Sequence, residues 1–191
     1  MPHSGKTDIE GAAKAYTEFM RLIGMDCKSP HAKGTPERVA RMFVEFTAGL
    51  REPDFTFTVF PKNARHAYDH LIVQRDIPLY SLCAHHHLPF FGVCGVGYLP
   101  DKDIIGLSKI ARVVVWKSRK PSIQEDLTEE IADVLWNKLN PRALFVHIVA
   151  EHLCLSSRGV QQPGTKTVTH CLRGDLALSM KEEFLKLIGA E

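Results

Sequence analysis

Two short stretches of the chain hold the residues best suited to chemistry. Ser81-Leu82-Cys83-Ala84-His85-His86-His87 sets a cysteine just before three histidines, and Glu151-His152-Leu153-Cys154 adds another histidine and cysteine much later. Cys83 and His86 have the C-x2-H spacing that lets two side chains leave a tight turn and meet on one ion. Zinc takes thiolate sulfur at about 2.3 Å and imidazole nitrogen at about 2.0 Å in a tetrahedron. Cys154 would supply a third ligand from a neighbouring strand. Three protein ligands leave a fourth position for water, which separates a catalytic from a structural zinc, and water there ionises near pH 7. The plainer alternative is that cysteines on strands are small core residues and the histidines merely satisfied polar groups. That alternative is the better one for Cys154 taken alone, and for Cys27, Cys94 and Cys171, which have no such company. It is the weaker one for Cys83. Spacing leaves His87 as a competitor of His86, since His85 and His87 point away from His86 in an extended segment.

His85 and His152 each adjoin a candidate ligand, and an imidazole that titrates near neutrality suits general acid–base work. Hydrolysis of a heterocyclic ring needs such groups, because ring nitrogens must gain protons as water attacks carbon. Lys109 and Arg112 share a face if 106–115 is helical, Arg158 follows Cys154 by four, and Arg38 opens an early helix. Singly these are solvated surface charges; gathered at a metal they would hold a polyphosphate, since guanidinium forks match phosphate oxygens. Gln124-Glu125 starts another helix. A carboxylate there complements the helix dipole, or accepts paired N–H donors from a guanine edge.

These groups need a scaffold. Apolar positions at three- and four-residue intervals mark a helix over 9–25, ended by Gly24, and Thr35-Pro36-Glu37-Arg38 opens a second with Thr35 as N-cap. Residues 51–68, broken by Pro53 and Pro61, read as an irregular connection. Strand patterns follow at 71–77, 90–99, 143–150 and 165–172, and helical ones at 122–139 and 176–188. Over 106–115 Val113-Val114-Val115 favours a strand, but Leu107, Ile110 and Ala111 suit a helix, the preferred reading. The fold class is α+β: N-terminal helices over 1–68, then a domain over 69–191 with an antiparallel sheet and helices packed on one side. The 191 residues carry 45% hydrophobic and 24% charged side chains, ordinary for a folded chain. A net charge of +2 gives no general attraction for nucleic acid or membrane. The N-terminus lacks the apolar run of a signal peptide, no segment has the length to span a bilayer, and five cysteines are an odd number. A reducing cytoplasm, with thiols rather than disulfides, is the expectation.

The ordered motifs resemble those of the GTP cyclohydrolase I family. The resemblance is carried by Ser81 to His86, Leu88-Pro89-Phe90-Phe91-Gly92, Gly106 to Arg112, Gln124-Glu125 with Leu127-Thr128, His152-Leu153-Cys154, Arg158-Gly159-Val160 and Lys166 to Thr169. It implies the tunnelling fold and a homo-oligomer of two stacked pentamers, with active sites where subunits meet. It also implies attack of zinc-bound water on C8 of GTP, formate release and closure to 7,8-dihydroneopterin triphosphate. By position, Cys83, His86 and Cys154 are the ligands of Zn2+, and His85 and His152 the acid–base pair. Gln124 and Glu125 would hold guanine, Ser108 would lie near the ribose, and Arg38, Lys109, Arg112 and Arg158 would bind the triphosphate. The chain departs from the family's usual glutamate at Ala84, leucine at His87, glutamine at Ser122 and arginine at Asp126. Two other functions stand beside this one. One is a paralogue that acts on another guanine nucleotide, or stops at a C8-hydrated or ring-opened product. The other is a non-catalytic zinc-stabilised oligomer that binds pterins or nucleotides, against which the retained His85, His152 and Glu125 weigh.

Overall fold

Helix α1 (Ile9–Leu22) starts where the Asp8 carboxylate accepts the Gly11 N–H at 2.8 Å, and stops before Gly24, whose φ of 77° only glycine adopts freely. Helix α2 (Thr35–Phe46) begins at its expected cap, one residue earlier than the spacing predicts. Gly34, left-handed at φ 74°, takes the capping position with Pro36 in the first turn, and Thr35 Oγ1 instead accepts from the Arg38 guanidinium at 2.8 Å. In this computed structural model the described residues are 7–26, 28–52, 55–62, 68–174 and 177–189; Cys27 lies outside them. The chain divides into two compact units, Met1–Pro53 and Asp54–Glu191.

The second unit contains strands β1 (Val59–Pro61), β2 (Ile72–Cys83), β3 (Pro89–Leu99) and β4 (Asp103–Ile105), then helix α3 (Leu107–Ser118), β5 (Pro121–Ser122) and α4 (Gln124–Leu139). Strand β6 (Ala143–His152), the short helix α5 (Leu153–Ser156), β7 (Lys166–Gly174) and α6 (Leu178–Ile188) complete it. β1 lies within the stretch expected to be irregular; it is three residues long and pairs with β4, a partner over forty positions away that no local pattern announces. The main sheet has the order β5-β2-β3-β6-β7, with every pairing antiparallel except β2 with β5. It is an α+β fold of the expected kind.

β2 runs six residues beyond its expected end because a bulge resets its alternation. The register shifts between Gln74 and Ile77, with Asp76 at φ 57°. Before the bulge Val73 packs toward α6; after it Ile77, Leu79 and Cys83 join the core with Leu127, Ile131 and Leu135 of α4 and Ile110, Val113 and Val114 of α3. An extra residue in a strand reverses which side chains face which way. β3 and β6 present Phe90, Cys94, Val96, Val146, Ile148 and Ala150 to the same core. α6 covers one end of the opposite face, where Phe184 stacks on Phe145 with ring centroids 4.6 Å apart.

Gly92 marks a close approach of β3 to β6: a Cβ there would lie 1.9 Å from the Val149 carbonyl oxygen and 2.7 Å from Ala150 Cα. Main chain on both sides cannot yield as a side chain would. Gly92→Ala should therefore cost about 1–3 kcal/mol, seen as a lower urea midpoint at unchanged m-value. An unshifted midpoint would show that the two strands can separate at no cost.

Candidate metal centre and adjoining cavity

Four pieces of backbone end at one edge of the sheet. β2 finishes at Cys83, and the chain turns at once, with Cys83 N–H donating to the Leu88 carbonyl at 2.8 Å and His87 N–H to the Cys83 carbonyl at 2.8 Å. His87 takes the left-handed conformation that reverses the chain into β3. β5 lies parallel to the end of β2, pairing Ser122 with Cys83, and α4 starts two residues later. β6 ends opposite the start of β3, where His152 pairs with Phe90, and runs directly into α5, which carries Cys154.

The turn brings two imidazoles onto one thiol: His85 Nδ1 and His86 Nδ1 each lie 3.8 Å from Cys83 Sγ. Among the described residues only His86 completes a compact set with the two cysteines, in which the ligand atoms of Cys83, His86 and Cys154 all lie within 4.8 Å of one another. Cys83 is buried, Cys154 half-buried and His86 exposed. Two thiols crowd here: burial, then the neighbouring Cys83 thiol, pushes the Cys154 thiol up, while the Arg158 charge pulls it slightly back. A cation between them would reverse that balance, because it stabilises thiolate. The donor set and its spread fit a divalent ion of borderline softness. His87 falls outside the cluster. Cys94 and Cys171 are core residues, each pushed by burial up to about 12.

Beside this cluster a cavity of about 220 Å³ is lined by Cys83, His85, Glu125, His152, Cys154 and Thr167, among others. Burial lowers the His152 pKa, and the nearby Glu125 carboxylate only partly offsets it. The neutral imidazole is thus the resting form at neutral pH. Glu125 stands exposed in the first turn of α4, where the helix dipole favours a negative charge. Gln124 sits behind it, almost wholly buried, with its amide bonded to main chain, to Thr169 and to His152. Ala84 and Ser122, two of the departures noted above, are backbone partners, with Ala84 N–H donating to the Ser122 carbonyl at 3.0 Å.

The basic residues are distributed differently. Ser108 and Arg112 are exposed and Lys109 half-buried on α3, and Arg158 is exposed after α5. None of them lines the cavity. Lys109, Arg112 and Arg158 form no ion pair among the described residues. Arg38 belongs to the first compact unit, where its guanidinium reaches the Lys33 carbonyl at 3.0 Å and Thr35 Oγ1 at 2.8 Å.

Three contributors escaped sequence reasoning. Phe90 stacks flat on the His152 ring, with centroids 4.5 Å apart and planes 4° from parallel. Thr128 and Thr169 join their hydroxyls at 2.7 Å beneath Gln124. Alternation along β7, which turns Thr167 and Thr169 to one face, was the signal available for the last of these.

A family model described as GTP cyclohydrolase I matches residues 12–189. The GTP cyclohydrolase 1 of Hydrogenobaculum sp. (strain Y04AAS1) is 48% identical over 183 residues, covering 95% of this chain and 98% of that one. The GTP cyclohydrolase 1 of Aquifex aeolicus (strain VF5) is 46% identical over 183 residues, covering 95% and 97%. Among the described residues no helix is long and apolar enough to cross a membrane.

If the cluster is a metal centre, metal-replete protein should contain one divalent ion per chain by elemental analysis. Cys83→Ser, His86→Ala and Cys154→Ser should each lose it. At free metal about 100-fold above Kd, binding should add roughly 2.7 kcal/mol of stability, read as a rise in Tm. Full metal content in Cys154→Ser would remove that residue from the ligand set.

Proposed function

The chain belongs to the GTP cyclohydrolase I family, and from that premise we propose that it hydrolyses the guanine imidazole ring of GTP at C8, releases formate and forms 7,8-dihydroneopterin triphosphate. The observation that carries this reading is the convergence of Cys83, His86 and Cys154 within 4.8 Å beside a cavity that also holds His85, His152 and Glu125. Zinc is the proposed ion, because two thiols and an imidazole with room for a fourth ligand suit it. When bound, it supplies Lewis-acid activation of water near neutral pH.

The chain's own residues do the rest. Two waters add their oxygens to C8 as both C8–N bonds break, which frees C8 as formate and leaves two nitrogens that must gain protons. His152, kept neutral by burial, is ready to take a proton and return it, and His85, which lines the same cavity, is the second acid–base group. The Glu125 carboxylate accepts the paired N–H donors of the guanine edge. Lys109, Arg112, Arg158 and Arg38 hold the triphosphate, and Ser108 lies near the ribose. Because Ser108, Lys109, Arg112 and Arg158 do not line the cavity of a single chain, neighbouring copies complete the site. A homo-oligomer, a decamer of two pentamers, is proposed accordingly. Its support is the open edge of β7 and the exposed Tyr80, Val93 and Val168 of the sheet. A reducing cytoplasm keeps the ligand thiols free.

Zinc-loaded protein incubated with GTP should release formate and yield the dihydroneopterin triphosphate mass. No formate would end this reading, and formate with a different final mass would place the chain among variants that stop early. His152→Ala should keep its zinc while kcat falls by about 100-fold; loss of the zinc would move His152 into the ligand set. Lys109→Ala and Arg158→Ala should mainly raise KM for GTP, and an unchanged KM would count against a phosphate role.

A further inference from the structure

Gln124 is 1% exposed, and its side chain reaches under β6 and β7. Its Nε2 lies 3.3 Å from the Ile148 carbonyl oxygen, 3.0 Å from the Thr167 carbonyl oxygen and 3.1 Å from Thr169 Oγ1. Two hydroxyl protons decide which way this amide points. Thr128 Oγ1 donates to the Gln124 main-chain carbonyl at 2.7 Å, so its proton is spent. The 2.7 Å contact between Thr128 and Thr169 is then donated by Thr169. Thr169 Oγ1 therefore offers the amide a lone pair, and every group around Nε2 is an acceptor. Turning the amide over would press Oε1 against three acceptors and strand it without a donor, the costly state for a buried polar group.

Oε1 is consequently fixed toward His152 Nε2, 2.8 Å away. An amide oxygen only accepts, so His152 Nε2 must carry a hydrogen. The parallel face of Phe90, 4.5 Å from the ring, stops the imidazole from rotating out of this contact.

We infer that Gln124 is a positioning residue that fixes the orientation and tautomer of the His152 ring, with the hydrogen on Nε2 and Nδ1 left as the free ring nitrogen. The hydrogen bond made by one ring nitrogen sets the state of the other. With both amide hydrogens shared among three acceptors, Gln124 has none to offer guanine. The catalytic meaning of the lock rests on the acid–base role proposed for His152; the tautomer itself does not.

Nitrogen-15 spectra of histidine-labelled, zinc-loaded protein test it, taken well above the ordinary histidine pKa, with the His152 signals identified by their loss in His152→Gln. Nε2 should resonate as a protonated nitrogen and Nδ1 as an unprotonated one; the reverse pattern would overturn the inference. Gln124→Met should keep its zinc, lose that pattern and lower kcat for GTP by about 10–100-fold, as removal of an orienting partner does, with KM little changed. A raised KM with unchanged kcat would mean that Gln124 touches guanine directly and would equally overturn it. Thr169→Val, which removes one of the three acceptors, should give a smaller loss of kcat in the same direction, and carries the test if Gln124→Met fails to fold; unchanged kcat and spectrum in Thr169→Val would then refute it. A wild-type protein inert toward GTP would sink the proposed reaction alone, since the spectra need no substrate.

Discussion

The site depends on which face of the sheet each strand turns toward α3 and α4, and the bulge in β2 sets that. Val73 packs toward α6, yet Ile77, Leu79 and Cys83 face the opposite core, and only the extra residue between Gln74 and Ile77 reconciles the two. Without it Cys83 would emerge on the α6 side, away from His152. β3 carries the same choice across the sheet. Its pairing of Phe90 with His152 puts that histidine on the helix-covered face, and a slip of one residue would replace it with Glu151. Cys83, His152 and Thr169 share one face because bulge and register agree.

Given that agreement, short connections do the remaining work. A turn of few residues joins β2 to β3, so Cys83 and His86 meet without a long ordered loop. β6 passes into α5 with no connection at all, which holds Cys154 two residues from His152. α4 starts directly after β5 and points its N-terminus at the cavity, so Glu125 gains a favourable dipole while Gln124 is driven into the sheet. Neighbouring residues thus receive opposite environments: one carboxylate left to solvent, one amide with every polar atom engaged. The same burial that disfavours charge on His152 gives the Gln124 contact its force, since an unmatched hydrogen bond costs most where water is excluded.

Much of this was legible beforehand. The helices at both ends and the strands over 90–99 and from 143 onward follow from periodicity, and the helix over 107–118 was the favoured of two readings. Cys83 stood out by its neighbouring histidines, while the full ligand set came from the family resemblance. What escaped notice depends on tertiary geometry. The continuation of β2 to Cys83 is hidden because its bulge breaks the alternation by which strands are recognised, and no glycine marks it: Asp76 adopts the left-handed conformation itself. Thr35 is not the cap of α2 because it is already helical, with Gly34 before it and its hydroxyl accepting from Arg38. Competition between His86 and His87 could not be settled by spacing, since it turns on a left-handed residue in the turn. Gln124 was visible as a polar residue at a helix start, but its burial and its acceptors come from strands over twenty and forty positions downstream.

The proposed centre has three protein ligands, two sulfurs and one nitrogen, with a fourth position left to solvent. X-ray absorption at the zinc edge of metal-loaded protein reads that composition directly. The expected spectrum has two sulfur scatterers at about 2.3 Å and two lighter ones at about 2.0–2.1 Å. A shell of four sulfurs, or one with a single sulfur, would contradict a site built from Cys83, His86 and Cys154.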